Sequence, residues 1–225
     1  MKILHISDTH GFHKNLSIAN DTDMIIHSGD FTNSRETLES KMEAEDFLNW
    51  YVDLNVKYKI LVAGNHDVII ERDSLFLKPY IDKGIIYLEN DWVLLEGLKI
   101  FGSPITPSFG HGWAFNKGST IFNYWKHIPD DTDILITHGP PKEILDLTLN
   151  RQNKFEQCGC PHLRKRVFEI APRYMMFGHV HNCKNVLNAG TFKTSGLRTI
   201  FSNASCVTDG RFDLGLTSHG NYFEI

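Results

Sequence analysis

Five short apolar runs recur along this chain, and each breaks off into residues able to hold a metal ion. They are "KILHIS" at 2–7, "DMIIHS" at 23–28, "YKILVA" at 58–63, "DILIT" at 133–137 and "YMMF" at 174–177, and they read as strands. The tails that follow are "SDTHG", "GDFTN", "GNHD", "THGPP" and "GHVH". Open α/β sheets build their sites at the carboxyl ends of strands, so five tails far apart in sequence can meet in one crevice. Between the second and third runs, "SRETLESKMEAEDFLNWYVDL" (34–54) places Leu38, Met42, Phe47, Leu48, Tyr51 and Leu54 at mostly helical intervals, which predicts an amphipathic helix. Strand, helix, strand is the rhythm of an α/β fold. Further on, the turns at "NAG", "DG" and "HG" surround short pieces such as "LRTIFS" (197–202), which predicts antiparallel strands added to a second sheet.

A chain of 225 residues with 41% hydrophobic content suffices for one sizeable core, so residues 1–225 are expected to form a single domain. The formal charge of -4 argues against a general polyanion binder, whose affinity would rest on Lys and Arg. Nucleic acid is therefore not the expected partner, and phosphate chemistry must rely on local positive charge. The start "MKILHIS" carries no basic segment before a long apolar run, and no stretch approaches the roughly 18 apolar residues that cross a bilayer. A soluble cytoplasmic protein with no membrane partner is expected. Cys158, Cys160, Cys183 and Cys206 lack paired CxxC spacing and read as reduced thiols, while Cys158-Gly-Cys160 supplies at most half of a tetrahedral zinc site.

Collected together, the tails offer Asp8, His10, Asp30, Asn65, His66, His138, His179 and His181: carboxylate, amide and imidazole donors without a thiolate. Mixed N/O ligands suit Mn, Fe or Zn better than a soft metal or an all-oxygen calcium cage. The donors exceed what one ion needs. Two ions about 3.5 to 4 Å apart form the clamp that stabilises both the attacking and leaving oxygens of a phosphoryl displacement. Extended backbone would turn Asp8 and His10 to one side, and likewise His179 and His181. Gly29, Gly64 and Gly178, just before these residues, permit backbone geometry that a bulkier residue resists.

The order "DTH … GD … GNHD … H … GHVH" resembles the calcineurin-like metallophosphoesterase superfamily over the whole framework from residue 8 to residue 181. More narrowly, "GDFT", "ITHGPP", "FGHVH" and the later "NAS" (203–205) are similar to the metallophosphoesterase-domain-containing, cyclic nucleotide phosphodiesterase-like group. The resemblance implies an α/β fold in four layers, two mixed β-sheets flanked by helices, with a dinuclear metal site at the C-terminal ends of strands. It implies that Asp8, His10 and His181 hold one ion, that Asn65, His138 and His179 hold the other, and that Asp30 bridges them. His66 would be the catalytic histidine. Protein Ser/Thr phosphatases of the superfamily resemble GDxxDRG after the second strand, whereas this chain reads "GDFTNSRE". Asn33 at the acidic position speaks against protein phosphatase activity and against a carboxylate partner for His66 from that loop.

The expected function is hydrolysis of small phosphodiesters, with 2′,3′- or 3′,5′-cyclic nucleotides suggested by the resemblance. Two divalent ions, Mn²⁺ foremost and Fe or Zn as alternatives, would lower the pKa of a shared water to give a bridging hydroxide, with His66 assisting as general acid or at the phosphoryl oxygens. A phosphomonoesterase of broad specificity and a catalytically weak scaffold of the same fold are the alternatives; a DNA nuclease lacks an evident capping domain or basic groove. His5 and His27 read as structural. His13 reads as a solvated loop histidine or one that reaches substrate. The stretch "GSPITPSFGHGWAFNKG" (102–118) either packs with Phe109, Trp113 and Phe115 buried or brings His111 or Trp113 to the rim of the crevice. "RKR" at 164–166 reads as the solvated face of a helix that buries Leu163, Val167, Phe168 and Ile170.

Overall fold

The five apolar runs form strands divided between two sheets. In the computed structural model, which describes residues 1–150, 152–210 and 214–225, the chain begins with β1 (Lys2–Ile6), β2 (Met24–His27), α1 (Thr37–Asp53), β3 (Tyr58–Leu61), α2 (Val68–Arg72), α3 (Lys78–Ile81) and β4 (Ile85–Tyr87). It continues through β5 (Asp91–Leu95), β6 (Leu98–Ser103), β7 (Thr106–Pro107), β8 (Asn116–Lys117), α4 (Phe122–Trp125) and β9 (Ile134–Thr137). Then come β10 (Leu147–Leu149), β11 (Phe155–Gln157), α5 (Pro161–Ile170), β12 (Tyr174–Phe177), β13 (Gly190–Lys193), β14 (Ile200–Asn203) and β15 (Asn221–Glu224). The first sheet has the order β15-β1-β2-β3-β4, parallel except for β15. The second has the order β13-β14-β12-β9-β6-β5, with four central parallel strands and an antiparallel strand at each edge.

Alternation along the strands sorts the side chains into layers. Ile3, Met24, Ile26, Ile60 and Val62 of the first sheet share an apolar cluster with Ile100, Ile134, Ile136, Tyr174 and Met176 of the second. Their neighbours Leu4, Ile6, Ile25 and Leu61 join Ala44, Phe47, Leu48 and Tyr51 of α1, while Leu135, Met175 and Phe177 belong with Trp125 of α4 and Leu163 and Val167 of α5. The result is helix, sheet, sheet, helix, the four-layer arrangement expected. Parallel strands of both sheets end at the same side, which brings the five tails within reach of one another.

Three expectations about packing are corrected. On α1 the buried row is Ser40, Ala44, Phe47, Leu48 and Tyr51, while Leu38 is 72% and Met42 63% exposed. Residues 38 and 42 stand two positions from 40 and 44, about half a turn round the helix. The winning stripe is fixed by Phe47, stacked 4.4 Å from Phe31, and by the Tyr51 hydroxyl, which donates to the carbonyls of Ile25 (3.1 Å) and Ile60 (2.7 Å). On α5, Leu163, Val167 and Ile170 are buried but Phe168 is not; it lies beneath the Arg164 guanidinium at 4.6 Å. The "RKR" cluster is ion-paired to Glu143, Glu169 and Asp130. Finally, β14 pairs parallel with β12, because the long segment between them serves as a crossover rather than a hairpin; of the other strands after β12, β13 adds antiparallel to the second sheet and β15 antiparallel to the first.

His5 and His27 are wholly buried. The His5 ring lies between Ser202 Oγ (2.8 Å) and Ser28 Oγ (2.9 Å), and His27 Nε2 lies 3.1 Å from Thr9 Oγ1. Burial lowers both rings to about 3. A histidine held neutral in the fold but free to protonate at its ordinary value when unfolded contributes stability above that ordinary value. As pH falls below about 6.5, that contribution is lost at about 1.4 kcal/mol per pH unit for each ring, down to the folded value. Urea unfolding in chelator, where metal release plays no part, should therefore show a falling midpoint from pH 7 to pH 5. A midpoint flat over that range would contradict the neutral assignment of both rings. Among the described residues no helix is long and apolar enough to cross a membrane.

Candidate metal centre

Three of the five tails, those after β1, β2 and β12, deliver donors by a sharp departure from the strand. Asp8 (φ 50°), His10 (φ 41°), Asp30 (φ 60°) and His179 (φ 68°) all adopt left-handed backbone, at a cost of roughly 1–2 kcal/mol each for a residue with a Cβ. Strain of this kind gathers at functional sites, where surrounding structure over-determines it. The glycines before the donors serve chiefly as clearance. A Cβ on Gly178 would stand 2.0 Å from Asp8 Oδ2, and one on Gly64 would stand 2.3 Å from Asp30 Oδ1. The two Asp carboxylates can enter only because those side chains are absent.

The donors fall into three groups whose ligand atoms lie within 4.8 Å of one another: Asp8, His10 and His181; His10, Asp30 and His66; and Asp30, His138 and His179. Asp30 belongs to two of them. Its Oδ2 lies 3.2 Å from His138 Nε2 and 3.9 Å from His10 Nε2, while Oδ1 accepts from the His66 backbone N–H at 2.7 Å. Asn65 Oδ1 stands 2.9 Å from His138 Nε2, and His179 Nδ1 stands 3.2 Å from the same atom. At the other end Asp8 Oδ1 lies 3.1 Å from His181 Nε2, and Ser205 Oγ donates to Asp8 Oδ2 at 2.8 Å.

Backbone carbonyls set the ring tautomers. His138 Nδ1 donates to Ser28 (2.9 Å), His10 Nδ1 to Thr32 (3.0 Å), His181 Nδ1 to Thr208 (3.2 Å) and His66 Nδ1 to Asn33 (2.9 Å). A carbonyl can only accept, so each neutral ring carries its hydrogen on Nδ1 and turns the Nε2 lone pair inward. Lone pairs of His138, His179, Asn65 and Asp30 then converge on one point. A single proton can serve one such contact at a time, whereas a divalent ion with mixed N/O preference satisfies all of them, so the donor set fits a metal. The electrostatics agree. Burial opposes charge on His138, yet Asp30 and Asp8 raise it to about 9, the same field that favours a cation among these atoms. Burial likewise would raise the Asp8 and Asp30 carboxyls, but His181 beside the first and His138 beside the second hold both below the usual carboxylate range.

Two residues were quoted within motifs but given no role by sequence reasoning. Asp67, fully buried, accepts from the backbone N–H groups of Asp30 (2.9 Å), Phe31 (3.1 Å), Thr32 (3.1 Å) and Gly64 (2.7 Å) and from Thr32 Oγ1 (3.0 Å). It ties the tail of β2 to the tail of β3. Burial and Asp30 push its carboxyl up to about 7 against these donors; with both oxygens accepting, the anion is the form that fits. Ser205 orients Asp8, and its signal was the "NAS" triplet. The Asn33 position supplies His66 with a backbone carbonyl in place of a carboxylate.

Of the residues expected near substrate, Trp113 stands at the edge of the donor cluster, with its ring 4.4 Å from His66. His111 is exposed on the same loop. His13 is not brought there: its ring is buried against α1, 5.4 Å from Phe47 and 5.0 Å from Trp50, with Nε2 3.3 Å from Asp46 Oδ2. Phe115 is buried as the packed-loop reading required, whereas Phe109 is 48% exposed. Among the described residues the candidate metal groups include no cysteine; Cys160 Sγ instead caps α5, accepting from Leu163 N–H.

Two mixed sheets that present Asp, Asn and His at one set of strand ends are the frame of a metal-dependent hydrolase. The profile of the calcineurin-like phosphoesterases matches residues 1–183, and the chain belongs to that family. UPF0046 protein K07C11.7 of Caenorhabditis elegans is 34% identical over 226 residues, covering 93% of this chain and 71% of that protein. Metallophosphoesterase domain-containing protein 1 of Homo sapiens is 35% identical over 211 residues, covering 83% of this chain and 60% of the human one. A probable rhamnogalacturonate lyase C of Emericella nidulans is 38% identical over 193 residues, which span 80% of this chain but only 17% of that protein. A crystal structure with a TM-score of 0.64 and 14% identity, covering 91% of this chain and 90% of its own, shares the fold. Family membership supplies the class of chemistry, phosphoester hydrolysis with divalent metal ions.

Proposed function

We propose that this chain is a phosphodiesterase acting on small phosphodiesters, with 2′,3′- or 3′,5′-cyclic nucleotides as its substrates. The observation that carries the reading is the convergence of inward lone pairs from five chain segments, with Asp30 shared between two donor groups. Asp8, His10 and His181 would hold one divalent ion and Asn65, His138 and His179 the other, with Asp30 between them; Mn²⁺ is the foremost choice for so nitrogen-rich a set. When bound, the ions supply positive charge that acidifies water and draws electron density from the phosphoryl oxygens. His66 stands beside this set, its ring 4.8 Å from that of His10, with Nε2 free of the protein partner that holds Nδ1. There the doubly protonated ring, with one hydrogen kept on the Asn33 carbonyl and the other on Nε2, would give the Nε2 proton to the leaving oxygen or hydrogen-bond through it to the phosphoryl oxygens. The four cysteines, three of them buried, accord as thiols with a reducing cytoplasmic setting.

The test is metal analysis joined to hydrolysis of bis-p-nitrophenyl phosphate, p-nitrophenyl phosphate and the cyclic nucleotides. Two ions per chain, loss of activity in chelator with best recovery in Mn²⁺, and preference for the diester are expected. One ion or fewer in a fully active preparation would remove the two-ion assignment; preference for the monoester would make the chain a phosphomonoesterase. Asp30→Ala should lower metal content more than His181→Ala, since a shared carboxylate contributes to both ions and screens their repulsion. Elemental analysis finding both ions retained in Asp30→Ala would rule out the bridge.

A further inference from the structure

The loop between β7 and β8 carries two aromatic rings to the edge of the donor cluster, and they are not equivalent. Trp113 is engaged by the protein itself. The Arg35 guanidinium lies 4.5 Å over its ring, and the His66 ring lies 4.4 Å from it. Phe109 is looser, 5.8 Å from Trp113 and 5.1 Å from the His179 ring, with 48% of its surface exposed. An exposed phenyl ring beside a cluster of buried histidines is costly in water and available to a ligand.

The loop is anchored where it meets the site. Ala114 N–H donates to the Asn65 carbonyl (3.0 Å), Phe115 N–H to Glu71 Oε1 (2.9 Å) and Thr106 N–H to the Phe115 carbonyl (3.1 Å), while Phe109 N–H donates to Asn116 Oδ1 (3.3 Å). Asn65 is one of the donors, so the aromatic wall and the cluster share a fixed frame. Arg35, held over Trp113, has no carboxylate partner within ion-pair distance among the described residues, so its positive charge stands unpaired behind the aromatic wall.

We propose that Phe109, with Trp113 and Arg35 behind it, forms a subsite for the nucleobase of a nucleotide whose phosphate rests on the donor cluster. This rests on the phosphodiesterase reading and narrows its substrates to those carrying a base. The exposed Phe109 ring provides the stacking face. Trp113 is a positioning residue, since its ring holds His66 on one side of the wall and receives Arg35. Base stacking on an aromatic side chain typically changes affinity by roughly 5- to 150-fold, without demanding one particular base.

The test uses the full chain loaded with Mn²⁺. Calorimetry compares AMP with ribose 5-phosphate, which lacks only the base, and kinetics compare thymidine 5′-(p-nitrophenyl phosphate) with methyl p-nitrophenyl phosphate, which share a leaving group. The base-bearing partner should be favoured by roughly 10-fold or more in both comparisons. In Phe109→Ala both ratios should fall towards one, and in Phe109→Tyr they should persist. A wild-type ratio near one, binding of neither ligand, or an undiminished ratio in Phe109→Ala overturns the subsite. Base-dependent binding without hydrolysis of either ester would leave the subsite standing and remove the phosphodiesterase reading. Hydrolysis of both esters with no preference for the base would do the reverse.

Discussion

Asp67→Ala is expected to lose on the order of 4 kcal/mol or more of unfolding free energy, although the residue belongs to none of the candidate metal groups. Its two oxygens receive five hydrogen bonds, four of them from backbone N–H groups, at a site closed to water. Removing the carboxylate strands those donors. Each buried group left without a partner costs about 1–3 kcal/mol, with partial relaxation keeping the total below the simple sum. Asp67→Asn should fare little better, because its amide N–H groups would face donors rather than acceptors. Since Asp30 and Asn65 lie on the two segments that Asp67 joins, metal content should fall along with stability. Urea unfolding and elemental analysis of both variants check this. A loss under about 1 kcal/mol in Asp67→Ala would show that the β2 and β3 tails hold their shape without the carboxylate.

What the sequence made legible divides along a physical line. Strands β1, β2, β3, β9 and β12 were visible because buried parallel strands are continuous apolar runs, and the donors were visible because each follows such a run directly. The face of α1 was misjudged, since Leu38 and Met42 are apolar but lie on the side of the helix that the sheet does not cover. Nothing local distinguishes them from Phe47. The left-handed backbone at Asp8, His10, Asp30 and His179 was equally hidden, because sequence assigns such conformations to glycine and here the glycines mostly make room. Asp67 and Ser205 were in plain view inside quoted motifs. Their parts depend on which N–H groups and carboxylates surround them, a property of the assembled loops. Phe109 and Arg35 lie 74 residues apart in the chain, and only the fold brings both to Trp113.

His66→Ala is expected to keep the fold and near-normal metal content, and to slow substrates with alkoxide leaving groups by roughly 10² to 10⁴. His66 does sit in one of the possible donor groups, with His10 and Asp30, so the metal count is a real test of its role. Seven other residues would suffice for the two proposed ions, and its ring is held from behind by Asn33 and flanked by Trp113, an arrangement suited to presenting Nε2 to a ligand. As a general acid it would matter in proportion to leaving-group basicity. A ribose alkoxide needs a proton as the P–O bond breaks, and losing that help costs about 3–5 kcal/mol; p-nitrophenolate departs without it. Hydrolysis of 2′,3′-cyclic AMP should therefore suffer far more than hydrolysis of bis-p-nitrophenyl phosphate. Equal slowing of both would assign His66 to the phosphoryl oxygens, where charge develops with either leaving group. Loss of one ion in the variant would make it a ligand, and full activity on both substrates would exclude it from the chemistry altogether.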